Sequence, residues 1–122
     1  RITVYTPAGY GTSGNRYPVF YLLHGAGGDE EAWINLGRTS QILDNLIPEG
    51  KAEPMIVVMT NGNAWQEAAP GESSKGYTVP SMRPDEAKNT VEGAFELAFP
   101  DVVKFVENNF RAKKVRANRS IA

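Results

Sequence analysis

The residues best placed to do chemistry are His24-Gly25-Ala26-Gly27-Gly28, directly after the uncharged run Val19-Phe20-Tyr21-Leu22-Leu23. Glycine supplies backbone freedom at little steric cost, and a loop built from it leaves backbone N–H groups pointing at whatever sits there. N–H groups fixed in this way can hold a developing oxyanion when a nucleophile adds to an ester carbonyl. The other reading is a tight strand-to-helix turn that needs glycine for its geometry alone. A nucleotide-phosphate loop fails on detail, because the His24–Gly28 loop has neither a Gly-Lys-Ser/Thr ending nor Gly-x-Gly-x-x-Gly. His24 is the single histidine and cysteine is absent, so no disulfide framework or Cys-ligated zinc site can form, and neither a metal site nor a cofactor is expected.

The elements that must hold this loop are legible in the apolar pattern. Four short runs read as strands: Ile2–Thr6, Val19–Leu23, Met55–Thr60 and Arg119–Ala122. Val19–Leu23 is continuously apolar, as suits a central strand of a parallel sheet covered on both faces. Between the second and third runs, Ile42, Leu43, Leu46 and Ile47 share one helical face, with Thr39 or Ser40 as the N-cap and Pro48 and Gly50 as the stop. Strand, loop, helix, strand is a βαβ unit and implies a parallel sheet.

Phe95, Phe99, Val102, Val103, Val106 and Phe110 lie on one helical stripe. Pro100 interrupts it, so the helix either begins there or is kinked there. Glu107 and Arg111 are spaced for an i, i+4 pair, an effect of roughly 0.2–0.5 kcal/mol.

Residues 62–93 show no period and are rich in Gly, Pro, Ser and Glu. A loop this long leaving the carboxyl end of a strand reads as a substrate-facing wall or as a plain surface insertion. Asn61 and Trp65 begin it. Both are candidates to line an acyl or sugar pocket, Trp65 by stacking on a ring, although a Trp that packs the loop onto the domain satisfies the same sequence.

The formal net charge of −1 gives no general electrostatic case for nucleic acid or a membrane surface. The basic cluster Arg111, Lys113, Lys114, Arg116 and Arg119 is local and reads as a solvated turn. No stretch approaches the roughly 18 apolar residues of a membrane-spanning helix. The 122 residues are read as the N-terminal part of a single domain, residues 1–122. A complete α/β fold of this kind runs to roughly 200–250 residues. The remainder of the same fold, or self-association, would be needed to cover the exposed sheet edge and apolar helix faces.

Five segments, in their order and spacing, carry a family resemblance: Ile2-Thr3-Val4-Tyr5-Thr6-Pro7, Tyr17 to Gly28, Pro54 to Asn63, Phe105 to Phe110, and Arg119-Ser120-Ile121-Ala122. Together they resemble the amino-terminal half of carbohydrate esterase family one, the feruloyl and acetylxylan esterases. The wider group includes S-formylglutathione hydrolases, enterochelin-esterase-like proteins and mycolyltransferases. The resemblance implies a partial α/β-hydrolase fold, a mostly parallel sheet flanked by helices and incomplete at the C-terminus. It also implies serine-dependent hydrolysis of acyl esters of plant cell-wall polysaccharide, with an acylated carbohydrate or small ester as substrate and an extracellular or periplasmic location. Within the site it makes the Ala26 backbone N–H an oxyanion donor, with His24, Gly25, Gly27 and Gly28 shaping the loop.

In that family the segment resembling Arg119 to Ala122 leads into the nucleophile elbow Gly-x-Ser-x-Gly. None of Ser13, Ser40, Ser73, Ser74, Ser81 and Ser120 has glycine at both flanking positions of that motif. The expectation is a chain that carries the oxyanion loop but not the catalytic Ser, Asp and His. A relative acting on small thioesters or siderophores, and a non-catalytic carbohydrate-binding module, are the alternatives. Purified alone, the 122-residue chain is expected to release no phenol from an aryl acetate. Rapid, saturable release would overturn that reading.

Overall fold

The computed structural model describes residues 1–25, 29–61 and 94–122, apart from the side chains of 94–96. The four apolar runs all form strands, each within one residue of its expected bounds: β1 (Ile2–Tyr5), β2 (Val19–Leu22), β3 (Ile56–Thr60) and β4 (Arg119–Ile121). They make one sheet in the order β1-β3-β2-β4. β2 pairs in parallel with both β3 and β4, while β1 lies antiparallel to β3. The sheet is therefore mostly parallel with an antiparallel edge.

All five residues of β3 are buried, so the sheet must be covered on both faces. Side chains alternate between the faces along each strand. Val19, Tyr21, Ile56 and Val58 join Val106 and Ala112 on one face, where Phe99, Val102, Val103 and Phe110 pack against them. These last four belong to α3 (Ala94–Asn109) and its exit. On the other face Tyr5, Val57 and Met59 meet Phe20, Leu22, Ile34, Leu43 and Ile47, from α1 (Ala32–Asn35) and α2 (Thr39–Leu46) and its C-cap. The expected α2 stripe holds for Leu43 and Ile47, but Ile42 is half-exposed.

Of the two readings at Pro100, a helix starting there is excluded, because α3 already runs from Ala94 through Pro100. Other local expectations are corrected. Arg38, at φ 52°, takes the N-cap position of α2, and Thr39 is already helical. Its hydroxyl donates to the Trp33 carbonyl at 2.8 Å, so it fixes the α1–α2 junction instead of capping. Glu107 pairs with Arg119, not with Arg111, because Arg111 is held elsewhere. Its guanidinium lies 3.9 Å from the centre of the Tyr10 ring and also donates to the Tyr10 carbonyl. Its backbone N–H donates to the Tyr10 hydroxyl at 2.9 Å. Two members of the basic cluster, Arg111 and Arg119, are thus structural rather than solvated.

The same corner joins the β1–β2 connection to the end of α3. The Tyr10 and Tyr17 rings meet at a tilt of 37°, with centres 5.6 Å apart. Arg16 donates to the Ala112 carbonyl at 3.1 Å, and Tyr17 bridges to Ala112. Tyr21, inside the α3 face, meets Phe99 edge-on at 5.1 Å. Burial pushes its phenol pKa up, Arg119 opposes the shift and Glu107 adds to it.

Tyr5 ties β1 to α2 by donating to Asp44 Oδ1 at 2.7 Å. Burial, then the Asp44 hydrogen bond and charge, raise its phenol pKa well above the ordinary tyrosine value. A raised folded-state value means that the protonated phenol stabilises the fold fully below about pH 10, the unfolded value, and loses that contribution as pH rises toward the folded value. The melting temperature is therefore expected to fall more steeply above about pH 10 in the parent than in Tyr5→Phe. Parallel alkaline profiles for the two, followed by circular dichroism, would refute this.

Candidate functional site

β2 and β3 run parallel, so their carboxyl ends emerge together, and the polar residues of the site lie at this edge. At the end of β2 the backbone of Leu23 is fully committed. Its N–H donates to the Ala122 carbonyl at 2.7 Å, and its carbonyl accepts the Trp33 indole N–H at 2.8 Å. A Cβ on Gly37 would lie 2.6 Å from Trp33 Cε3, so glycine there lets the indole fold back over the turn.

His24 follows, half-buried. Its Nε2 lies 2.5 Å from the Asn61 carbonyl oxygen, and its Nδ1 lies 2.6 Å from the Gly25 carbonyl. A carbonyl oxygen can only accept, so Nε2–H donates in the contact that spans 37 residues and links the two strand ends. His24 is thus turned into the scaffold.

Asn61 was expected to line the substrate pocket. The structure turns its side chain inward, and the residue is 1% exposed. Its backbone N–H donates to the Arg1 carbonyl at 3.2 Å, extending the β1–β3 ladder. Its side-chain Nδ2 donates to Glu30 Oε2 at 2.7 Å. Glu30 is fully buried, and Arg1 Nε lies 3.4 Å from its other oxygen. Buried charge persists in proteins where it is paired and hydrogen-bonded; Glu30 is hydrogen-bonded through Oε2, while Oε1 has the Arg1 ion pair but no hydrogen bond among the described residues. Next to it, Glu31 Oε1 accepts the Thr3 hydroxyl at 2.5 Å, and Asp29 Oδ1 accepts the Glu31 backbone N–H at 2.8 Å.

Sequence reasoning did not single out Glu30, Arg1 or Trp33. The one available signal was the acidic triplet Asp29-Glu30-Glu31 closing a glycine run. Ala26, Gly27, Gly28 and Trp65 lie outside the described residues. Gly25 is exposed at the start of the loop. Among the described residues, no three His, Cys, Asp or Glu side chains converge to hold a metal ion, and no helix is long and apolar enough to cross a membrane. A cavity of about 520 Å³ lies between α2 and the sheet, bordered by Phe20, Leu22, Val57, Trp33, Ile42 and Ser120. It is apolar, and neither His24 nor Asn61 borders it.

Residues 1–122 match the family model Esterase, described as "Putative esterase". An endo-1,4-beta-xylanase/feruloyl esterase from Xylanibacter ruminicola is 34% identical over 123 residues, covering 98% of this chain and 15% of that protein. Among solved structures, a CE1 ferulic acid esterase from Anaeromyces mucronatus in complex with ferulic acid superposes with a TM-score of 0.73 at 28% identity, over 98% of this chain and 41% of that one. A feruloyl esterase module from Clostridium thermocellum complexed with sinapinate gives 0.67 at 25% identity, over 98% and 38%. The chain spans less than half the length of each of these relatives. The glycine loop after a central parallel strand and the match along all 122 residues agree: this chain belongs to the esterase family and has the α/β-hydrolase type of fold.

Proposed function

We propose that this chain supplies the oxyanion-loop half of a serine esterase that cleaves feruloyl or acetyl esters of plant cell-wall polysaccharide outside the cytoplasm. The observation that carries the reading is the pairing of strand ends. Ala122, at the end of β4, is hydrogen-bonded to Leu23, so residues joined to Ala122 would start level with His24 and the glycine loop. A nucleophile elbow placed there would bring its serine beside the loop's N–H groups.

The chemistry then follows. The serine Oγ adds to the ester carbonyl while a histidine takes its proton, and the oxyanion is held by the Ala26 N–H and a second N–H next to the serine. Collapse expels the sugar hydroxyl, which regains the proton, and water releases the acid from the acyl-enzyme by the same route. The serine, its histidine and the acidic partner all come from outside this chain. The ferulate and sinapinate bound by the two relatives favour an aromatic acyl group, and Trp65 is the residue proposed to stack on it. Exposed Leu36, Ile42 and Ile121 are the apolar surface that the rest of the fold, or a second copy, would cover.

The test uses the intact protein with methyl ferulate and an aryl acetate. Because the Ala26 contribution is a backbone group, Ala26→Ser is expected to keep kcat within a few-fold. Ala26→Pro removes the donor and is expected to lower kcat by about 10²–10³-fold. An intact protein that hydrolyses neither ester, or an Ala26→Pro variant that folds and keeps full kcat, would overturn the reading.

A further inference from the structure

One residue holds both ends of the glycine loop. His24 leaves the sheet at the end of β2, and Glu30 lies beside Arg1 and Asn61, next to the ends of β1 and β3. At its start, His24 Nε2 donates to the Asn61 carbonyl. At its far end, Glu30 Oε2 accepts the Asn61 side-chain N–H. Asn61 is itself anchored by its own N–H on the Arg1 carbonyl, so it is the last rung of the β1–β3 ladder and cannot shift without the sheet. Both loop ends are therefore referenced to the rigid edge of the sheet through one buried residue, the first through its backbone carbonyl and the second through its side-chain amide.

We propose that Asn61 and Glu30 are positioning residues for the oxyanion loop, and that Asn61 acts as a clamp rather than as a pocket wall. The inference rests on the esterase reading for its catalytic consequence, but the clamp itself is a property of the described contacts. Its logic is geometric. Oxyanion donors work only when held where the negative charge will form, and a misplacement of about 1 Å costs on the order of 10²-fold in rate. Three glycines among residues 24–28 widen the range of backbone conformations open to the segment, which puts weight on the contacts at its two ends. An unpaired buried carboxylate is costly, which makes Glu30 dependent on the Asn61 amide and Arg1.

The experiment reverses the polarity of the bond. Asn61→Asp sets an acceptor against Glu30 Oε2 while leaving the backbone contacts to His24 and Arg1 in place. The double variant Asn61→Asp with Glu30→Gln keeps the net charge of the parent and restores the hydrogen bond in the opposite sense. In the intact protein, two quantities are measured for each: kcat and KM on methyl ferulate, and hydrogen–deuterium exchange of the peptide spanning residues 24–31. Asn61→Asp is expected to lower kcat by about 10–100-fold with KM within about two-fold, and to speed exchange in this peptide above that of the other strand-end peptides. The double variant is expected to recover both. Exchange that stays at the parent rate in Asn61→Asp overturns the clamp. So does exchange that rises uniformly across the protein, since that reports only lost stability. A parent protein with no esterase activity would sink the proposed function instead, and the exchange data would still decide the clamp.

Discussion

A strand whose five residues are all buried cannot sit at a surface, and β3 is such a strand. Its side chains alternate, so both faces of the sheet must be covered, and only helices delivered by crossover connections can do this for parallel neighbours. The arrangement of α2 on one face and α3 on the other follows from that requirement. So does the site. Parallel strands bring their carboxyl ends to one edge, where the chain has to leave the core and its backbone groups lose their regular partners.

The edge solves that problem with polar contacts that are each worth about 1 kcal/mol net but expensive to leave unmade. Leu23 is satisfied by Ala122 and Trp33, and Asn61 by Arg1, His24 and Glu30. The result is a boundary of satisfied polar groups where the buried sheet ends and the chain turns out at Gly25. Residues that look like substrate contacts by chain position can be part of that boundary, and Asn61 is one of them. Its location after a buried strand suggested a pocket wall, yet its amide faces a buried carboxylate.

The strands were readable because burial on both faces leaves a direct mark, an uncharged β-branched run bounded by turn residues. α3 was readable from its stripe despite Pro100, since tertiary packing of Val102, Val103 and Val106 outweighs one lost helical bond. The four-residue α1 was not, being too short to show a period. Glu107 illustrates the limit of local rules. Its i+4 neighbour was available, but Arg119 on the adjoining edge strand offered a partly buried partner, and Arg111 had Tyr10. Glu30 shows the same limit at the site, because nothing in an acidic triplet tells which carboxylate is buried; the answer depends on Asn61, 31 residues away.

The corner where Tyr10 receives Arg111 has a consequence for the order in which the molecule is completed. The two residues are 101 positions apart, and Arg16 and Tyr17 wait for Ala112 in the same way. A chain made from its amino end exposes Tyr10 and Tyr17 throughout the synthesis of β3 and α3, until Arg111 arrives over the Tyr10 ring and Ala112 beside Tyr17. Closing so large a loop is entropically slow. A nascent chain would therefore carry this aromatic surface uncovered while the residues between Tyr17 and Arg111 are made, open to chaperones and to neighbouring chains.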